Sequence, residues 1–156
     1  MKGSPLPVDP TPKEVHSREL MAAETTHEMR VRYNECDRVG IVFNSNYLVY
    51  ADVAATEFWR EHLGGYAEFN ELGLDVVLAE ANIRFRRPLE FDDEFQVRVT
   101  VGTVTARSLA LEFGFIRDGE PIAEIDVSYV CVDSREHTAQ PIPERIRAVL
   151  AGESPD

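Results

Sequence analysis

The sequence predicts an α+β domain. It has one long, widely apolar helix, one strand before it and about four antiparallel strands after it. Residues 47–59 repeat apolar side chains at helical spacing. Residues 95–131 instead alternate apolar and polar side chains. Only short turns separate these alternating runs, so their strands run antiparallel.

The elements follow in order. Residues 1–25 read as a flexible leader. Pro5, Pro7, Pro10 and Pro12 hold its first half extended, and Thr11-Pro12 suits the start of a short helix reaching about Ala23. The main domain is expected over residues 26–140. "HEMRVRY" opens it as a strand with Met29, Val31 and Tyr33 on one side. The loop "NECDRVG" follows. Asn44 or Ser45 is placed to cap the long helix. Tyr47, Tyr50, Ala51, Ala54, Ala55 and Phe58 form its apolar stripe, widened by Leu48, Val49 and Trp59. The small alanines imply close packing. Gly64 and Gly65 end the helix.

A loop near "NELGLD" leads into "VVLAEANIRFRRPLEF", which opens as an apolar run and then alternates as a strand that Pro88 should bend or end. Three alternating strands complete the sheet. They are marked by Phe95 to Val101, Leu109 to Phe115, and Ile125 to Cys131. Asp118-Gly119 is a strong hairpin signal between the last two. Residues 141–156 read as a short C-terminal helix and tail, with Pro143 near the first turn. One helix cannot cover both faces of such a sheet, so at least a dimer is expected.

With 28 acidic against 16 basic residues, the chain carries a net charge of −12. Nucleic acid is therefore not an expected partner, since phosphate backbones need a cationic face. No apolar run is long enough for a membrane span, and the first residues lack the apolar core of a secretory signal. A cytoplasmic location is expected. Cys36 and Cys131 lie far apart, with no disulfide or metal spacing, and no metal or redox cofactor is implied. His16, His27, His62 and His137 show no metal spacing either.

The chemistry concentrates in "YNECDRVGIVFNSNYLVYAD". The start of a helix presents unpaired N–H groups and a partial positive charge. Such a site suits an oxygen that turns negative during attack on an acyl carbonyl. Asp37, in the loop just upstream, is placed to attack that carbonyl or to deprotonate a water. Gly40 lets the chain turn between the two. Asn44 and Ser45 supply backbone N–H groups. Glu35 reads as a surface residue or a neighbour that tunes Asp37. Arg84, Arg86 and Arg87 form the one dense basic cluster, read either as an edge of ion pairs or as a grip on phosphate. Arg107 is a weaker candidate of the same kind.

"ECDRVGIVFNSNYLVYADVA" resembles the signature of the 4-hydroxybenzoyl-CoA thioesterase-like family of hotdog-fold proteins. The signature falls on Glu35, Asp37, Gly40, Ile41, Val42, Phe43, Asn46, Tyr47 and Tyr50. The resemblance implies a hotdog fold, a long central helix wrapped by a five- or six-stranded antiparallel sheet. It implies hydrolysis of an acyl-CoA or acyl-carrier-protein thioester, coenzyme A being part of the substrate. Asp37 matches the catalytic carboxylate, and Asn44 lies at the oxyanion site. Gly40, Val42, Phe43, Ser45 and Tyr47 flank the substrate. A homodimer at least, and a homotetramer in many members, is implied, with active sites at dimer interfaces. A large subgroup carries His where this chain has Asn44, which argues against an imidazole mechanism. The alternatives are a non-catalytic acyl-thioester binder or sensor, and a hydratase or dehydratase with His27 or His62 beside the acyl chain.

Overall fold

The alternating runs of residues 95–131 become the three central strands of one sheet. The computed structural model describes residues 22–153. Strand β1 spans Glu24–Arg30, and a single 3₁₀ turn, Tyr33–Glu35, follows it. Helix α1 spans Asn46–Leu63 and α2 Ala67–Glu71. The remaining strands are β2 (Leu74–Phe85), β3 (Glu94–Val104), β4 (Ser108–Arg117) and β5 (Glu120–Asp133), and α3 (Glu144–Leu150) follows. All five strands form one antiparallel sheet in the order β1-β3-β4-β5-β2.

Strand alternation puts one side chain in two on the helix face. Register aligns them into layers. Thr25 lies opposite Val99, Val99 opposite Phe113, Phe113 opposite Ile125, and Ile125 opposite Ile83, so one layer crosses all five strands. Four of the five are apolar. The fifth, Thr25, is buried, and its hydroxyl donates to Glu61 Oε2 at 2.6 Å. That bond ties β1 to the far end of α1. Asp118 (φ 51°) and Gly119 (φ 75°) make the β4–β5 hairpin turn in the left-handed region, as the Asp-Gly pair requires.

Helix α1 lies across this face, closest to β1 and β3. Ala54, Ala55, Phe58 and Trp59 are fully buried, and Tyr47, Tyr50 and Ala51 nearly so. Gly64 (φ 72°) stops the helix, its N–H bonding Arg60 O at 3.2 Å while the Gly65 N–H reaches Trp59 O at 3.0 Å. Among the described residues, no helix is long and apolar enough to cross a membrane.

Several expectations need correction. The first strand starts at Glu24, not His27, and stops at Arg30. The Val31 N–H leaves it to bond Asp93 O at 2.9 Å, the chain turns, and Tyr33 ends up exposed. Ala22 and Ala23 are not helical; the rest of the expected leader helix lies outside the described residues, as does the end of the tail. Leu48 and Val49 do not widen the buried stripe but are exposed, because the sheet covers α1 from one side only. Residues 67–71, which run into the expected loop near "NELGLD", form one helical turn whose Phe69 packs edge-on against Trp59 at 5.6 Å. A single turn is too short to show periodicity. Cys36 and Cys131 are free thiols.

Ala54 is fully buried. Ala54→Leu should cost about 1–3 kcal/mol of stability, whereas Val53→Leu on the exposed face should stay within about 0.5 kcal/mol of wild type. Urea unfolding of the two variants checks this.

Candidate active site

Asp37 sits on a small closed loop between the 3₁₀ turn and α1. Cys36 pairs with Val42 in an antiparallel bridge, and Ile41 pairs with Glu90. The Asp37 N–H donates to Ile41 O at 2.8 Å, and the Gly40 N–H to Asp37 O at 3.0 Å. Gly40 has φ 90°, a conformation that disfavours any side chain. Val42 N–H reaches Leu89 O at 2.8 Å and fastens the loop to the segment after β2.

The Asp37 carboxylate is held by one oxygen only. Oδ1 accepts from Val39 N–H at 2.8 Å and, more weakly, from Ile41 N–H at 3.4 Å. Among the described residues no donor meets Oδ2. The start of α1 is similarly half-used. Asn46 N–H bonds Phe43 O at 2.9 Å and Tyr47 N–H bonds Asn44 O at 3.3 Å. No acceptor among the described residues meets the N–H of Asn44 or Ser45. Ser45 holds the N-cap position without a side-chain cap bond, so the expected side-chain cap is not formed.

A groove of about 490 Å³ is lined by Asp37 and, at the helix start, by Asn44. Its lining is Asp37, Ile41, Val42, Phe43, Asn44, Tyr47, Phe85, Arg86, Arg87 and Pro88, and the Arg86 and Arg87 side chains are exposed. Seven sequence-predicted residues therefore share one groove. Gly40, Ser45 and Arg84 are not on its wall. Tyr47 is buried, its ring edge-on to Phe85 at 5.1 Å, so it serves the core and the groove together. Burial raises the Tyr47 hydroxyl above its ordinary pKa.

Strand β2 ends at Phe85. The N–H groups of Arg86 and Arg87 both bond Ile122 O, at 2.9 and 3.1 Å. Arg86 Nε lies 2.9 Å from both oxygens of Glu124, Arg87 pairs with Glu120, and Arg84 stands opposite Glu124 in the register. These exposed pairs are weak and exchangeable. Arg107 sits elsewhere: its carbonyl bonds Cys131 N–H, at the far end of β5 from Ile122. His62 is 16 residues beyond the helix start, roughly 24 Å along α1, with Nε2 at 3.0 Å from Glu24 O. His27 lies on β1 opposite Val97. Neither histidine lines the groove. Among the described residues no group of three His, Cys, Asp or Glu could hold a metal.

Glu35 is not the surface residue that one reading expected, because the strand does not continue to it. The 3₁₀ turn buries it to 6% exposure. Its Oε1 accepts from Arg32 N–H at 2.7 Å and its Oε2 from Arg32 Nη2 at 2.9 Å. Burial pushes this carboxyl up. The Arg32 guanidinium and backbone N–H, with the neighbouring Tyr50 hydroxyl, outweigh burial and bring it below 4.5. The Tyr50 hydroxyl itself closes no hydrogen bond of normal geometry, and burial beside the Glu35 charge raises its pKa. Only the spacing of Arg32 and Glu35 hinted at this anchor.

A long helix packed on one face of a five-stranded antiparallel sheet is the layout of a hotdog fold. The chain belongs to the Thioesterase-like superfamily, whose family model matches residues 31–150. Among solved structures, a hypothetical protein from Aquifex aeolicus superposes with a TM-score of 0.76 at 27% identity, covering 81% of this chain and 98% of that one. A gentisyl-coenzyme A thioesterase superposes with a TM-score of 0.72 at 29% identity, covering 81% and 99%. The acyl-CoA thioester hydrolase YbgC of Escherichia coli O6:H1 is 22% identical over 121 residues, which is 77% of this chain and 90% of that protein.

The Glu35 anchor has a pH signature. Its folded pKa is depressed, so its contribution is fully present above the ordinary carboxylate value of 4.5 and is lost as pH falls through the folded value. Glu35→Gln should cost about 1–2 kcal/mol at neutral pH, near the low end because Arg32 is exposed and screened. The gap to wild type should close as pH drops below 4.5. Urea unfolding of both proteins between about pH 3 and 7 reads it directly.

Proposed function

We propose that this protein hydrolyses an acyl-coenzyme A thioester, or the matching acyl-carrier-protein thioester, to the free acid and the thiol. The observation that carries this reading is one groove lined both by Asp37, whose carboxylate has an oxygen that meets no donor among the described residues, and by Asn44 at the helix start, whose N–H, like that of the adjacent Ser45, meets no acceptor among them. A thioester carbonyl seated between them has its carbon toward Asp37 Oδ2 and its oxygen toward the N–H groups of Asn44 and Ser45. Charge that develops on that oxygen meets fixed donors and the positive end of α1.

Two routes fit. In one, Oδ2 adds to the carbonyl carbon, the C–S bond breaks, and the thiolate leaves and takes a proton from water. A second water then cleaves the acyl-aspartyl anhydride and restores the carboxylate, and the proton it releases neutralises the hydroxide left by the first. In the other, Oδ2 takes a proton from a water that attacks the carbonyl, and that proton passes to the departing thiolate. Both consume one water per thioester.

Arg86 and Arg87, exposed side chains that line the groove, are the groups for the coenzyme A phosphates. Each would exchange an exposed carboxylate partner for a phosphate. Phe43, Tyr47 and Phe85 give the groove an aromatic side for the acyl group or pantetheine arm. This reading takes the chain as at least a homodimer. The long β2 edge and the exposed Leu48, Val49, Val77 and Leu78 are surfaces that a second copy would cover.

Asp37→Asn keeps the shape of the side chain but is neither base nor nucleophile. It should lower kcat by about 10²–10⁴-fold with KM nearly unchanged, measured as thiol release from a panel of acyl-CoAs. Equal turnover by both proteins would remove Asp37 from the chemistry. Arg86→Ala and Arg87→Ala should each raise KM roughly 3- to 10-fold with kcat unchanged. That effect should vanish on acyl-pantetheine substrates, which lack the nucleotide phosphates.

A further inference from the structure

Asn46 belongs to the sequence signature, yet its side chain does not line the groove. It is the first residue of α1 and is half-buried. Its Nδ2 donates to Glu35 O at 2.8 Å. A carbonyl only accepts, which fixes the amide orientation. The same carbonyl also accepts Phe43 N–H at 2.9 Å, and Asn46 N–H bonds Phe43 O at 2.9 Å. Residues 35, 43 and 46 thus form a closed clasp.

Everything outside that clasp is already fixed. The Asp37 loop is closed on itself by the bonds between Asp37, Gly40 and Ile41, and α1 is a regular helix packed on the sheet. The joint between the two is where Asn46 acts. Its bond is not needed to satisfy Glu35 O, which has Phe43 N–H. What it adds is direction, because it sets the base of the loop against the first turn of the helix.

We propose that Asn46 is a positioning residue. Its side-chain bond to Glu35 O holds the Asp37 carboxylate in register with the free N–H groups of Asn44 and Ser45. This rests on the hydrolytic reading above. Displacement of a reacting group by about 1 Å costs on the order of 10²-fold in rate.

The test compares wild type, Asn46→Ala, Asn46→Gln, Asp37→Asn and the Asp37→Asn/Asn46→Ala double variant by steady-state kinetics on the best acyl-CoA of the panel. Thermal unfolding is followed alongside. Asn46→Ala should lower kcat roughly 10- to 100-fold with KM within about twofold. Asn46→Gln, which keeps an amide donor, should recover part of that loss. In the Asp37→Asn background, Asn46→Ala should cost nothing further, since the carboxylate it places is gone. A change in KM alone, unaltered kcat in Asn46→Ala, or additive losses in the double variant would each overturn the positioning role while the hydrolytic reading stands. If Asp37→Asn itself is as active as wild type, the hydrolytic reading fails and the positioning role with it. Should Asn46→Ala fail to fold, Asn46→Ser carries the comparison, as serine suits a helix start but cannot reach Glu35 O. Failure of both to fold would make Asn46 structural and overturn the proposal.

Discussion

Ala54, Ala55, Phe58 and Trp59 are fully buried, and the contact they make with the sheet fixes where the start of α1 must lie. Large aromatics supply most of the apolar area there, while the alanines let the helix backbone come close to the strands. Any rotation of the helix would expose the aromatics and drive Asp52 or Glu57 inward, which an uncompensated charge resists. The helix therefore has one orientation and one depth. Gly64 ends it on one side, and the Thr25–Glu61 bond holds that end to β1.

The opposite end inherits this rigidity. Residues 43–46 are set by α1, and residues 88–93 are set by the sheet. The Asp37 loop is stretched between the two, bonded to Leu89 on one side and to the helix start on the other. Glu35 completes the arrangement as a buried ion that holds the turn before the loop, at a cost in desolvation that Arg32 and Tyr50 offset. Neither Asp37 Oδ2 nor the two free N–H groups has an intrachain partner among the described residues. A site that must meet a reacting carbonyl benefits from donors and a carboxylate held ready in this way.

The same one-sided packing explains the surface. The sheet covers one face of α1, so Leu48, Val49 and Val53 stay outside. Among the described residues, strand β2 has a partner on only one side, β5, and most of its side chains are exposed. Apolar residues on an exposed edge are a hazard unless covered, and this gives a physical ground for reading the chain as a homo-oligomer.

What the sequence determined by itself was whatever follows from local periodicity and turn chemistry. The β3, β4 and β5 alternation, the buried stripe of α1 and the Gly64 and Asp118-Gly119 stops each rest on residues adjacent in the chain. The signature around Asp37 was equally legible, because loop and helix start are contiguous. Tertiary structure alone decided which residues meet across the fold. It brought Phe85, Arg86 and Arg87 into the groove that Asp37 lines, because β2 ends beside Ile122. It buried Glu35, because the chain turns at residue 33 instead of extending. It left Leu48 and Val49 exposed, because helical spacing says which residues share a face but not how far the sheet reaches around it.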